Sequence, residues 1–217
     1  MINLLIQHYN DSSPERCQEL RQCLYNNNNN VLIDNIYLFS DVEPYDYEWV
    51  GSNKIIEVKI NKRLAFQDCI DFANKNLNGQ ICIISNADIY FDETLEKLYQ
   101  KNLDNTMLAI TRHELMLDNT QVLHSPASDC QDAWIFKSPF TINIDPDCVL
   151  GIPGCDNHFA YVCVDAKVRV INPAKDIRCI HVHTSHKRNY AADGFRWSPR
   201  LNVGLTNWDA LGELDDG

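Results

Sequence analysis

The chain has 217 residues, a formal net charge of −11, 45% hydrophobic and 23% charged residues. These values describe a globular domain with material for a sizeable core, and the acidity excludes a general nucleic-acid binder, which needs a basic face. No apolar run reaches the length of a membrane span, and the nine cysteines are odd in number, scattered and without C-x-x-C, so they are expected as reduced core residues.

Met1 to Ile6 lacks the basic start of a signal peptide and reads as a first strand ending in Gln7-His8-Tyr9. Asn10 to Glu15 is a helix start with Pro14 at the first position, and the helix runs to about Tyr25 on Leu20, Cys23 and Leu24. The five asparagines 26–30 read as a surface loop without function. Val31 to Phe39 is a second strand closed by Ser40-Asp41, and strand, helix, strand over roughly forty residues is the unit of a parallel sheet. A loop with Tyr45, Tyr47 and Trp49 follows, then a strand Ile55 to Ile60 and a helix Leu64 to Asn76.

Ile81-Cys82-Ile83-Ile84 is a short apolar strand, and it runs into Ser85-Asn86-Ala87-Asp88-Ile89-Tyr90-Phe91-Asp92. Glu93 to Lys101 is a short helix, with Asp92 as its cap, and Met107 to Thr111 is a strand ending in Arg112-His113-Glu114. Beyond it the expectations are a hairpin or loop over 115–127, a strand at Asp132 to Phe136, and an irregular stretch over 139–147. A tight turn Gly151-Ile152-Pro153-Gly154 then precedes a helix from Cys155 to about Ala166. Strands at Val168 to Ile171 and around Ile180 to His183 complete a domain of residues 1–190, and 191–217 form a tail that wraps the body or is partly disordered.

Ligands of open α/β sheets bind beyond the carboxyl ends of the strands, and Asp88 stands at such an end. A lone carboxylate there suits Mg²⁺ or Mn²⁺ bridging to substrate phosphates; alternatively it opens a turn. The chain has neither a G-x-G-x-x-G nor a Walker loop, so phosphates would be held by the metal with Arg63 and Arg112. His181 and His183 alternate along one strand face and are either metal ligands or imidazoles bonded to backbone. Cys179 beside them raises zinc, but no second cysteine cluster supports a closed tetrahedral site. Asp156, after a glycine turn and at a helix start, is either a general base or a helix cap; Asp132 is the other candidate base, or a grip on acceptor hydroxyls. Trp134 offers a sugar-stacking face or core packing.

The Ile-rich strand with Asn86-Ala87-Asp88-Ile89 and Phe91-Asp92 resembles the D-x-D region of GT-A glycosyltransferases. The opening strand ending Gln7-His8-Tyr9-Asn10, the helix from Arg63-Leu64-Ala65-Phe66, Gln131 to Phe136, Gly151 to Asn157 and His181 to Tyr190 extend the resemblance across residues 3–190. The chain is similar to the small glycosyltransferase domain of large DNA viruses, of the chlorella-virus capsid-glycan type. The departure is Asn86, where many members carry an aspartate.

The resemblance implies a single α/β GT-A domain: a Rossmann-like, mostly parallel central sheet flanked by helices, with a smaller antiparallel acceptor-side region. It implies a metal-dependent, inverting hexosyltransferase that takes a nucleotide-sugar donor, UDP-linked, and a glycan or glycoprotein acceptor, in the cytoplasm (of the host, for a viral protein). Within it, Asp88 with His183 or His181 would hold Mn²⁺ or Mg²⁺, and Asn86 and Ala87 would lie along the ribose. Gln7, Tyr9 and Asp41 would meet the base and ribose, Arg63 and Arg112 the diphosphate, and Arg188 and Tyr190 would close over the nucleotide. The rival readings are a nucleotidyltransferase, disfavoured by the absence of glycine from Gln7 to Asp11, and a nucleotide- or glycan-binding module without chemistry.

Overall fold

A computed structural model describes residues 1–40, 50–51, 53–185 and 197–212. Asp41, the 42–49 loop residues and Arg188 and Tyr190 therefore lie outside the described residues. In chain order the elements are β1 (Ile2–Gln7), α1 (Pro14–Asn29), β2 (Asn35–Ser40), β3 (Ile55–Lys59), α2 (Phe66–Asn76), β4 (Ile81–Ser85) and β5 (Ile89–Phe91). A 3₁₀ segment, Glu93–Gln100, leads to β6 (Thr106–Ile110), β7 (His113–Leu115), β8 (Gln121–Leu123), β9 (Ala133–Lys137), α3 (Cys155–Asp165), β10 (Arg169–Ile171) and β11 (Cys179–His181).

The central sheet has the order β10-β6-β9-β4-β1-β2-β3, with all neighbours parallel except at β9, which runs against both β4 and β6. A second sheet, β5-β11-β7-β8, is antiparallel except between β11 and β7. The central strands are apolar almost without break because both faces are covered. Alternate residues feed two cores: Leu5, Cys82, Ile84, Trp134 and Phe136 face α2 and α3, whereas Leu4, Ile6, Ile83 and Ile135 face α1 and the second sheet. On the α2–α3 side the Phe66 ring stacks on Phe159 at 4.3 Å and meets Trp134 edge-on at 4.7 Å. Trp134 is thus a core residue that also borders the cleft.

Helix α1 starts as expected, with Pro14 at its first position behind the Ser13 cap, whose hydroxyl accepts from the Arg16 amide. Its end corrects the sequence expectation: it runs on through the asparagines to Asn29. Asn27 and Asn28 are buried. The Asn27 amide donates to Ile89 O at 2.8 Å and accepts from the Phe91 amide at 3.0 Å, so it takes the place of a neighbouring strand along β5. The run is a structural clamp because position 27 continues the inward stripe of Leu20, Cys23 and Leu24 by one helical turn.

Residues 197–212 lie along the body: Trp197 and Val203 join one core, Trp208 and Leu211 the other, and Asn172 holds Val203 O at 2.9 Å. No helix among the described residues is long and apolar enough to cross a membrane.

Candidate functional site

Parallel strands β1, β2 and β4 end along one edge, where the chain becomes polar at Gln7, Ser40 and Ser85. The reversal of β9 starts that strand at the same edge: Ser85 pairs with Ala133, and the Asn86 amide donates to Asp132 O at 3.2 Å. Residues far apart in sequence thereby meet around a cleft of about 580 Å³.

One wall holds Asp88, His181 and His183, with ligand atoms within 4.8 Å of one another. Asp88 arrives from the end of β4, and β11 delivers the histidines by pairing antiparallel to β5, with His181 opposite Ile89. His181 Nε2 lies 3.1 Å from Asp88 Oδ2, while its Nδ1 lies 2.7 Å from Glu114 Oε2. Arg16 donates to the same Asp88 oxygen at 2.5 Å and to Glu19 at 2.9 Å. Burial alone would raise the pKa of Asp88, but His181 and Arg16 reverse that and hold it well below the carboxylate range. Burial likewise opposes charge on His181; Asp88 and Glu114 outweigh it and lift the imidazole to about 9. Glu114, against its own burial, is drawn down to about 2 by His181 and Arg112. One carboxylate and two imidazoles within bridging reach are a donor set that fits a divalent ion, with the nitrogens favouring Mn²⁺ over Mg²⁺.

Asp132 and Asp156 also line the cleft. Asp132 is committed on both oxygens: Oδ1 accepts from Asn86 at 2.8 Å, and Oδ2 from Arg112 at 3.0 Å. Asp156 sits in the first turn of α3, behind Gly154 in the left-handed region at φ 83°, and accepts weakly from the Gln131 amide at 3.4 Å. Burial, with the charge of Asp132, lifts its carboxyl to about 6 despite the backbone donors of Asn157 and Gln131.

Gln7, Tyr9, Arg63, Asn86 and Ala87 complete the lining. Gln7 accepts from the Leu64 amide at 2.8 Å and ties β1 to the start of α2. Arg63 donates through Nε to Leu150 O at 2.9 Å, and a Cβ at Gly151 would lie 3.0 Å from its Nη2, so glycine there lets the guanidinium lie flat on the turn. Arg112 spends Nε on Glu114 at 2.5 Å and Nη1 on Asp132. Of the expected site residues, those that are described border this one cleft; Asp41, Arg188 and Tyr190 lie outside the described residues.

Three participants escaped the sequence reading. Arg16 and Glu19 stand on the inward stripe of α1, and an opposite-charge pair at i, i+3 among Leu20 and Cys23 was a readable sign of a buried ion pair. Glu114 carried no such sign, because its partner is set by the pairing of β7 with β11, which puts it beside His181.

No protein-family model matches the sequence, and no curated protein matches it. Solved structures do match by shape. GalNAc-T7, solved with UDP, GalNAc and Mn²⁺, aligns with a TM-score of 0.58 at 11% identity, over 84% of this chain and 44% of that one. The mannosyltransferase PcManGT of Pyrobaculum calidifontis, solved with GDP-Man and Mn²⁺, aligns at 0.50 and 14% identity over 87% and 58%. TarS of S. aureus aligns at 0.50 and 10% identity over 83% and 60%. The chain spans about half the length of the structures it matches. At these identities the likeness establishes architecture: the fold is a GT-A-like α/β domain.

Proposed function

We propose that the chain is a metal-dependent glycosyltransferase that moves a sugar from a nucleoside diphosphate, UDP in the first instance, to a hydroxyl of a glycan, with inversion. The observation that carries this reading is the placement of Asp88, His181 and His183 within bridging reach of one another in a cleft that Asp156 also lines. Mn²⁺ on those three residues would supply positive charge to the departing diphosphate. Arg63 adds a fixed cation beside the same cleft, and Tyr9 and Gln7 border it at the end of β1, where the base and ribose would lie. The bound Mn²⁺ and nucleotides named for GalNAc-T7 and PcManGT support the same assignment.

Asp156 takes the proton from the acceptor hydroxyl. A carboxyl held near 6 is ionised at neutral pH and still basic enough to accept a proton, whereas Asp132 is tied by Asn86 and Arg112. Inversion is supported by one free base and, among the described residues, no second carboxylate placed as a nucleophile.

The test is release of UDP from a panel of UDP-sugars with Mn²⁺, with and without EDTA. EDTA-sensitive release is expected with at least one donor. Tight UDP binding without release from any donor would favour a binding module instead, and no binding at any metal concentration would end the reading.

A further inference from the structure

Glu114, in the middle of β7, gathers three basic groups. Its Oε2 accepts from His181 Nδ1 at 2.7 Å, its Oε1 accepts from Arg112 Nε at 2.5 Å, and His124 Nδ1 lies 3.3 Å from Oε1. Parallel pairing of β7 with β11 sets Glu114 opposite His181, so the contact is fixed by backbone register. From Arg112 the chain of contacts continues to Asp132 at 3.0 Å, from Asp132 to Asn86 at 2.8 Å, and through the backbone to Asp88, which meets His181 Nε2 at 3.1 Å. These contacts close into a ring through the backbone of residues 86–88, and Glu114 is the member that touches both His181 and Arg112.

We propose that Glu114 is a positioning residue: it holds His181 with Nε2 turned to the ion site and, through Arg112, holds Asp132 in place in the same cleft. This rests on the reading of Asp88, His181 and His183 as metal ligands. The physical reason is that an imidazole binds a metal through one nitrogen while the other needs a fixed acceptor, and a carboxylate there both fixes the ring and strengthens the ligand. Asp132 is then held by a guanidinium that Glu114 also binds, which couples the histidine to the carboxylate through contiguous contacts.

The test uses the whole chain and Mn²⁺ alone. Glu114→Ala is expected to bind Mn²⁺ about 10–100-fold more weakly than wild type by titration calorimetry. Glu114→Gln, which keeps an acceptor oxygen for Nδ1–H, is expected to recover much of that loss. In the metal-free protein, the hydrogen-bonded Nδ1 proton of His181, read by ¹⁵N-edited imidazole NMR, is expected in wild type and Glu114→Gln and absent from Glu114→Ala. Should Glu114→Ala fail to fold by circular dichroism, Glu114→Thr, which suits a strand, takes its place. Unchanged Mn²⁺ affinity, or an unchanged Nδ1 proton, in the variant lacking the acceptor overturns the proposal. If wild type itself binds no Mn²⁺, the metal reading falls, and the Nδ1 proton alone then decides whether Glu114 orients His181.

Discussion

Arg16 Nη2 and Asp88 Oδ2 lie 2.5 Å apart, both side chains buried, with helix α1 and the end of β4 as their supports. The pair neutralises the carboxylate on which the ion site is built. Removing one partner from a buried pair leaves an uncompensated charge and costs about 3–5 kcal/mol. Arg16→Met is therefore expected to lower the midpoint of thermal unfolding by roughly 10 °C. Saturating Mn²⁺ should restore more stability to this variant than it adds to wild type, because the ion supplies the missing positive charge. Scanning fluorimetry with and without Mn²⁺ checks both; an equal metal effect in the two proteins would place the ion away from Asp88.

The two histidines should separate under substitution. His181 is buried between Asp88 and Glu114, whereas His183 is only partly buried. His181→Ala is expected to lose Mn²⁺ affinity and stability together, since two acids then face each other without the cation between them. His183→Ala is expected to lose affinity at least about tenfold while unfolding close to the wild-type temperature. Calorimetry paired with thermal melts separates them, and wild-type affinity in His183→Ala would remove that residue from the ligand set.

As the proposed base, Asp156 should give the reaction its pH dependence. Its carboxyl is held at about 6, so kcat/KM is expected to fall tenfold per unit below about pH 6 as the base is protonated. Asp156→Asn should abolish this limb and lower kcat by about 10²–10⁴-fold, with UDP affinity nearly unchanged. Stability moves the other way. Folding raises this pKa from 3.8, so its contribution is present below about 4 and lost as pH rises through about 6. Asp156→Asn should therefore be more stable than wild type at pH 7.5 by about 2–3 kcal/mol, with the gap gone near pH 4. Urea melts at the two pH values check the sign.

Asn27 makes the asparagine run testable. Asn27→Ala leaves Ile89 O and the Phe91 amide without their partner and is expected to destabilise by about 2–4 kcal/mol. Asn29, exposed on the same helix, should tolerate alanine within about 0.5 kcal/mol. Equal melts for the two variants would show that the clamp does not contribute.

The legible part of this site was the part written in local pattern. Asp88 follows an apolar strand, His181 and His183 alternate, and Asp156 follows a glycine turn, so strand-end position and period marked them. Arg16 and Glu114 act across 72 and 67 positions of sequence, and their roles depend on which strands pair. The asparagines misled for a different reason: a repeated residue hides the helical period that makes position 27 unlike 29. The fold followed from strand–helix alternation, but the reversal of β9 left no local trace, because a strand buried on both faces reads the same in either direction.

That reversal also divides the chain into parts that can change and parts that cannot. The excursion from Thr111 to Asp132 leaves the sheet edge and returns to the same edge, with its two ends bonded through the Asp132 amide and Ile110 O. Its tip, where Leu117 stands almost fully exposed, can lengthen, shorten or change composition without shifting the strands that hold Asp88 and Asp132. The same architecture thus pairs a free-standing tip with a fixed sheet, and a change at that tip needs no redesign of the strands beneath it.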